Sequence, residues 1–236
     1  MKKLCLGLAL VLLASITQAD LIANWKLQGL SNSNDNPPSS GVATWDAENS
    51  HANIDSGILS RGAGANPVST LKDTFAWRNA DESSLADAIT GDRYAAFTIT
   101  AESGYHFSVT EVEFWLSIVD LSQGRELALF SDATGLTASD ALWTLTPDNN
   151  KAQYTIDLSS ESIEDVTSVE FRLYAWGADN EWRAQGFGFD NDWGDPNREI
   201  GLSVSGSVEL IPEPGTIALL SMGFIGLVAA RRRMRA

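Results

Sequence analysis

Hydrophobic and polar residues alternate in short runs along most of this chain. The alternation is clear in residues 94–100 and again in residues 169–174. In the second run, Val169, Phe171 and Leu173 are predicted to face a core, while the residues between them and Tyr174 face outward, because successive side chains of a strand point to opposite faces. The period of two predicts strands rather than helices.

The strand-like runs are separated by clusters of Gly, Asn, Asp, Ser and Pro, which favour turns. Strands are predicted near residues 24–28, 42–46, 54–60, 74–78, 94–100, 106–118, 126–131, 142–145, 153–158, 168–176 and 200–210. Two short helices are predicted at 83–88 and 159–165. This pattern predicts an all-β fold, a two-sheet antiparallel sandwich of jelly-roll-like form.

Two segments of the chain allow more detailed predictions. The segment from 106 to 119 is long for one strand, so a bend or bulge is predicted in it before a turn at 120–124. Residues 32–40 are polar and rich in Asn, Ser and Pro, which predicts a mobile loop.

The N-terminus has the pattern of a signal peptide. Lys2 and Lys3 precede an apolar run at 4–16, and the small residue Ala19 precedes Asp20. The apolar run is too short for a permanent membrane span, which needs about 20 residues. Cleavage by signal peptidase is therefore predicted between Ala19 and Asp20, with an uncleaved anchor as the alternative. Cys5 lies inside the apolar run, which argues against a lipoprotein.

The C-terminus is organised in three parts. Pro212, Glu213 and Pro214 form a box that the two prolines keep extended. Residues 215–230 are apolar and would form a transmembrane helix of about 24 Å. Arginines follow at Arg231, Arg232, Arg233 and Arg235, which would fix the helix with the preceding domain outside the inner membrane. An ordinary tail anchor explains these features equally well.

The tail resembles the PEP-CTERM sorting signal. Pro212, Glu213 and Pro214 match the family's box, and Arg231, Arg232 and Arg233 match its basic cluster. The resemblance implies a Gram-negative-type envelope, processing by the membrane cysteine peptidase exosortase, and association with exopolysaccharide or biofilm matrix at the cell surface. The chain then divides into a signal peptide at 1–19, a β-sandwich ectodomain at 20–211 and a sorting tail at 212–236.

The ectodomain is also loosely similar to uncharacterised β-sandwich ectodomains that precede such tails. The similarity is carried by residues 58–64, 168–176 and 202–206. It implies a fold without an activity.

The net charge of the ectodomain limits the classes of partner that it can bind. The chain has 16 basic and 31 acidic residues, and residues 1–19 and 212–236 hold six of the former and one of the latter. The remaining 10 basic and 30 acidic residues give residues 20–211 a formal charge of −20. Such a domain repels nucleic acid and can attract divalent cations. Cys5 is the only cysteine, so the ectodomain has neither a disulfide nor a thiol nucleophile.

No catalytic residues are predicted. His106 is expected on a strand face and His51 in a loop, and no nucleophile-elbow sequence accompanies them. Glu111 and Glu113 share a strand face and could serve as a glycosidase pair, but a solvent-exposed acidic face is the preferred interpretation.

Two binding sites are hypothesised near the end of the ectodomain. Asp190, Asp192 and Asp195 offer oxygen ligands around Gly194, a pattern that suits calcium, although the string lacks the spacing of an EF-hand. Asx-rich turns without metal have the same composition.

Tryptophan is abundant, with eight residues. Trp115 and Trp143 are expected in the core. Trp176, Trp182 and Trp193 lie near loops with polar neighbours, and such a cluster could stack on sugar rings.

The sequence therefore predicts an exported envelope or matrix protein, sorted by its tail, with a non-catalytic and glycan-binding ectodomain. The alternative is a secreted glycoside hydrolase or polysaccharide lyase on the same jelly-roll fold.

Overall fold

The computed structural model describes residues 19–27, 44–67, 74–78, 83–118, 125–149, 151–177, 184–188 and 201–212. These residues form one short helix and a series of strands. The strands are β1 (Asp20–Trp25), β2 (Trp45–Asp46), β3 (Asn49–Ser50), β4 (Ile54–Arg61), β5 (Asn66–Pro67), β6 (Thr74–Arg78), β7 (Tyr94–Ala101), β8 (Tyr105–Ile118), β9 (Glu126–Ser131), β10 (Trp143–Leu145), β11 (Lys151–Asp157), β12 (Ser168–Trp176), β13 (Ala184–Gly188) and β14 (Leu202–Leu210), and α1 (Leu85–Thr90) lies between β6 and β7.

The strands form two antiparallel sheets. The first, sheet A, has the order β3-β1-β14-β8-β13-β6-β5, and β11 pairs with the opposite edge of β8. The second, sheet B, has the order β10-β9-β12-β7-β4-β2. The predicted all-β fold with two large antiparallel sheets is confirmed.

Strand β8 is the central strand of sheet A and pairs with three other strands among the described residues. On one side it pairs first with β14, from Tyr105 to Phe114, and then with β13, from Leu116 to Ile118. On the other side it pairs with β11. The predicted irregularity in this long strand is present, because the register with β14 shifts by one residue between Ser205 and Gly206. At this shift β14 and β8 approach each other closely, which requires a glycine. A Cβ at Gly206 would lie 1.9 Å from the backbone oxygen of Ser108.

Aromatic residues fill the space between the sheets. Phe97 of β7 stacks on Phe171 of the same sheet, with ring centroids 4.8 Å apart. It also contacts Trp25 and Phe187 of sheet A edge-on, at 6.1 and 5.9 Å. Phe114 continues the contact between the sheets, 5.9 Å from Trp143. The sheets are therefore held together by edge-to-face and stacked aromatic pairs, which favour fixed relative orientations.

Arg61 links the two sheets near their edges. Its guanidinium lies 3.7 Å from the ring centroid of Phe75, and its Nε donates to the backbone oxygen of Ala76 at 3.0 Å. Burial lowers the pKa of Arg61 to about 10, because desolvation disfavours the charged form. The contact with the aromatic ring offsets part of this cost.

The outer face of sheet B carries a second apolar cluster beneath α1. Ser84 caps this helix by accepting a hydrogen bond from the Asp87 amide, and Ala88 packs with Ala128, Phe130 and Tyr174. Tyr174 points outward from the main core, as predicted, but it is buried by this cluster rather than exposed.

The helix predictions are half right. The helix predicted at 83–88 is present as α1, displaced by about two residues. The helix predicted at 159–165 is wrong, because the described segment consists of turns and bends. Ile163 is buried there and its backbone oxygen accepts from the Val109 amide, so packing against β8 determines the conformation.

Both ends of the described domain lie at one end of the sandwich. β1 begins at Asp20 opposite Gly206, and β14 ends at Leu210 opposite Tyr105. We call this the tail end. β7 finishes there, because residues 102–104 join it directly to β8. β12 begins beside the end of β7, since Ser168 pairs with Thr100, and it runs to the opposite end, which we call the far end.

Several predictions lie outside the described residues. They are the signal peptide, the loop at 32–40, the turn at 120–124 and the transmembrane helix of the tail. Across the residues that the structure does describe, no helix has the length and apolar character needed to span a membrane.

Replacing Phe97 with Ala is expected to lower the free energy of unfolding by about 3–5 kcal/mol, because it removes three aromatic contacts and leaves a cavity between the sheets. Phe97→Leu keeps more of the volume and should lose less. Urea unfolding of the exported domain measures both, and equal, small losses would contradict the central role of Phe97.

Candidate functional site

An open groove of about 440 Å³ lies at the far end of sheet B. Its walls come from the start of β9, the end of β10 and the end of β12. The lining residues are Glu126, Leu127, Thr144, Leu145, Thr146 and Trp176. The groove combines one large aromatic ring, two hydroxyls and one carboxyl group, while the side chains of Leu127 and Leu145 pack towards the main core beneath it.

Strand register places these groups together. Trp176, the last residue of β12, pairs with Glu126, the first residue of β9. Along β12 the residues Val169, Phe171 and Leu173 face the main core, so Tyr174 and Trp176 alternate with Ala175 towards the outer side. Trp176 packs against the outer apolar cluster and is half-buried. One part of its ring is therefore supported by protein, and the rest is accessible.

A charged and aromatic network lies behind Trp176 on the same outer face. Arg172 Nε donates to Glu170 Oε1 at 2.6 Å, and the guanidinium lies 4.5 Å from the ring centroid of Tyr94. Tyr94 meets Tyr174 edge-on at 5.2 Å. This network fixes the residues that support Trp176, because each side chain has at least two partners.

The network changes the acidity of its tyrosines. Burial raises the pKa of Tyr174 above its ordinary value, and the nearby Arg172 guanidinium only partly opposes this effect. Burial raises the pKa of Tyr94 in the same way. The neutral phenols are thus the forms that the folded domain favours.

The tryptophan predictions have mixed outcomes. Trp176 lies on the groove, whereas Trp182 and Trp193 lie outside the described residues. Trp143 packs partly buried against the main core, as expected. The expectation for Trp115 is wrong, because Phe114 and Leu116 on either side of it face the core and Trp115 therefore faces the outer side of sheet A, half-buried.

The calcium ligands Asp190, Asp192 and Asp195 also lie outside the described residues, so the calcium site stays a prediction. Within the described ranges, no group of three or more His, Asp, Glu or Cys side chains is placed to hold a metal ion.

The two histidines occupy the positions that the sequence predicts. His106 is on β8, and its Nδ1 lies 2.9 Å from Asp165 Oδ1 without the alignment of a hydrogen bond. Ser108 Oγ accepts from the Asp165 amide at 3.2 Å. His51 Nδ1 accepts from the Asn53 amide at 3.2 Å. The contacts of Asp165 with His106 and Ser108 fasten a loop to β8, whereas the contact between His51 and Asn53 lies within one loop. Sequence spacing gave no signal for the contact between His106 and Asp165.

Glu111 and Glu113 lie on the outer face of sheet A, half-exposed. Glu113 accepts a hydrogen bond from the side-chain amide of Gln153 on β11, and Glu111 lies opposite Asp157 of the same strand. Neither residue lines the groove at the far end of sheet B. The two carboxylates thus belong to a polar sheet face, as the preferred interpretation held.

Comparison with known families identifies the tail. The family described as the PEP-CTERM protein-sorting motif matches residues 210–233. The chain is thus a β-sandwich domain that carries a PEP-CTERM sorting motif at its C-terminus. No curated protein matches the chain.

Among solved structures, the glycoside hydrolase domain of Endo-D from Streptococcus pneumoniae is 12% identical with a TM-score of 0.31, and the match covers 56% of this chain and 18% of that one. This chain therefore spans less than a fifth of that protein. A xylan-binding module from Roseburia intestinalis is 13% identical, with a TM-score of 0.30 and coverage of 70% and 94%. The K3 adhesin domain of Lys-gingipain from Porphyromonas gingivalis is 14% identical, with a TM-score of 0.28 and coverage of 57% and 74%. Likenesses at this level carry no argument about function.

The raised pKa values of Tyr94 and Tyr174 predict a loss of stability at alkaline pH. The pKa of Tyr174 is higher in the folded state than in the unfolded state, so the neutral phenol contributes to stability. This contribution is complete below about pH 10 and is lost as the pH rises through the folded-state pKa. Tyr174→Phe should therefore flatten the fall of the melting temperature between about pH 10 and 12. If the variant and the parent lose stability in parallel over this range, the buried phenol of Tyr174 is not responsible.

Proposed function

We propose that this protein is exported to the cell envelope, sorted by its PEP-CTERM tail, and that its ectodomain binds glycan without cleaving it. The observation that carries the binding proposal is the groove at the far end of sheet B, where a half-buried Trp176 lies beside Glu126 and the hydroxyls of Thr144 and Thr146.

The chemistry of the groove suits a sugar. The C–H face of a pyranose ring packs on the ring of a tryptophan, and nearby hydroxyl and carboxyl groups accept or donate hydrogen bonds to the sugar hydroxyls. Glu126 and the formal charge of −20 on residues 20–211 disfavour an anionic polymer. The expected ligands are therefore neutral or amino-sugar polysaccharides, and an exopolysaccharide of the matrix would be the natural partner.

The position of the groove supports this role. The tail leaves the domain at the tail end, and the groove lies at the far end. A domain still attached to the inner membrane by residues 215–230 would present its groove away from the lipid surface. After processing, the same groove would be available in the extracellular matrix.

Binding rather than catalysis is supported by the placement of the acids. A glycosidase of the usual kind needs two carboxyl groups flanking one bond, about 5–10 Å apart. Glu126 supplies one carboxyl group to the described lining of the groove, and Glu111 and Glu113 lie on the other sheet. A glycoside hydrolase or polysaccharide lyase would require a partner for Glu126.

The chain would be processed at both ends. Signal peptidase would remove residues 1–19 during export, so that the chain begins at Asp20, and exosortase would recognise Pro212, Glu213 and Pro214 at the outer surface of the inner membrane. The arginines that follow the helix would stop transfer, since each costs about 2.5–3.5 kcal/mol at the centre of a membrane helix. Calcium held by Asp190, Asp192 and Asp195 would add to the stability of the exported domain.

Replacing Trp176 with Ala is expected to weaken glycan binding at least about 10-fold, which corresponds to about 1.4 kcal/mol, because the stacking surface of the groove is lost. Calorimetric titration of the exported protein with neutral β-glucan oligosaccharides, chitosan oligosaccharides and alginate measures the effect. Alginate should bind weakest.

Trp115→Ala is the matched control, because Trp115 is equally a half-buried tryptophan on an outer sheet face but lies on sheet A. It should leave the affinity unchanged. If Trp115→Ala reduces binding and Trp176→Ala does not, the groove is the wrong site. The appearance of reducing ends or unsaturated uronates would establish the enzymatic alternative instead.

Replacing Pro212, Glu213 and Pro214 with Ala is expected to leave export intact and to keep the protein in the membrane fraction at full tail length, because the peptidase loses its recognition box. Fractionation and blotting of the domain measure this. Release of the variant at the size and rate of the parent would show that the Pro-Glu-Pro box is not the recognition signal.

A further inference from the structure

Two exposed apolar residues directly precede the Pro-Glu-Pro box. Leu210 is 62% exposed and Ile211 is 42% exposed. Within the described residues, the other large hydrophobic side chain with comparable exposure is Leu21, on β1. The match to the sorting motif begins at Leu210, so the motif starts inside a strand of the folded domain.

This part of β14 is paired on one side. Glu209 and Leu210 pair with His106 and Tyr105 of β8, and the Ile211 amide donates to the Gly104 oxygen at 2.8 Å. On its other side β14 pairs with β1, but β1 begins at Asp20 opposite Gly206. Among the described residues, no strand continues along this side from Ser207 to Ile211. Within the described part of the domain, the last residues of β14 therefore form an open edge at the tail end.

The backbone groups of this edge can be assigned. Donors and acceptors of a strand alternate between its two sides. The Ile211 amide points to β8, and the Phe107 amide of β8 points away from β14 towards Val166. The peptide groups of Val208, which pairs with Phe107, and of Leu210 therefore point to the open side.

An open strand edge with apolar side chains is a surface that folded proteins usually protect, because it pairs readily with another strand. Here the edge continues without a linker into Pro212, where the chain enters the box that the peptidase must hold. Lipid is a poor partner for this surface, since Glu209 is exposed beside it and the domain is strongly acidic.

We propose that the open edge of β14, residues 208–211, is a docking surface for the sorting peptidase, which pairs with it as an added strand while the adjoining box enters its cleft. Strand addition gives affinity through the backbone, and the exposed side chains of Leu210 and Ile211 give specificity. The inference rests on the processing of the tail and is independent of the glycan groove. It extends the substrate recognition site from the tail into the folded domain.

The test is a pulse-chase experiment on the full chain in cells that process the parent. Leu210→Lys is expected to slow the loss of the tail at least about fivefold, because it places a charge on the docking edge. Leu21→Lys is the matched control, since Leu21 is 43% exposed on β1, and it should be processed at the parental rate. The melting temperatures of both variants should equal that of the parent.

A second variant leaves every residue of the domain unchanged. Six Gly and Ser residues inserted between Ile211 and Pro212 separate the edge from the intact box, and they should slow processing to a similar extent. Parental rates for both Leu210→Lys and the insertion would overturn the proposal. It would equally be overturned if Leu210→Lys altered only the oligomeric state, because the edge would then join two copies of this chain.

Discussion

The contact between the two sheets through Phe97 is the interaction on which the rest of the domain depends. Beyond Cys5 the chain contains no cysteine, so no disulfide links sheet A to sheet B. The stacking of Phe97 on Phe171 and its edge contacts with Trp25 and Phe187 fix how the sheets face each other. The orientation of the two sheets in turn sets how the groove on sheet B lies relative to the chain ends on sheet A.

The outer apolar cluster of sheet B holds the tryptophan of the groove in place rather than joining the two sheets. It is built from α1, Phe130 and Tyr174, and it supports Trp176 from behind. A sugar-binding tryptophan is effective when its ring is held in place before the ligand arrives, because less conformational entropy is then lost on binding. In the proposed glycan groove, the network of Arg172, Glu170 and Tyr94 would supply that rigidity.

Much of this fold follows from the sequence. The short β-type runs predict β9 and β12 at their observed bounds, and alternation places Phe171 in the core. It fails for β13, whose five residues include two glycines and have no clear alternation. It also fails for the environment of Tyr174, because an outward side chain is buried only where a helix from elsewhere in the chain covers it.

The candidate site is harder to predict for a related reason. Trp176 could be proposed as a candidate binding residue from the sequence, because it ends a predicted strand beside polar residues. Glu126 and Thr144, which complete the groove, are unremarkable in the sequence, and the strand register alone brings them to Trp176. Trp115 shows the opposite case, since its large ring suggests a core position and only its neighbours on β8 show that it faces outward.

The direction of β14 has a mechanical consequence. A ligand held at the far end and a tail held in the membrane would pull along the strands, since groove and tail lie at opposite ends of the sandwich. The hydrogen bonds that join β14 to β8 and β1 run across the strands. Tension would therefore load these bonds together in shear rather than open them one at a time, and the strand that leads to the tail would resist extraction along nearly its whole length.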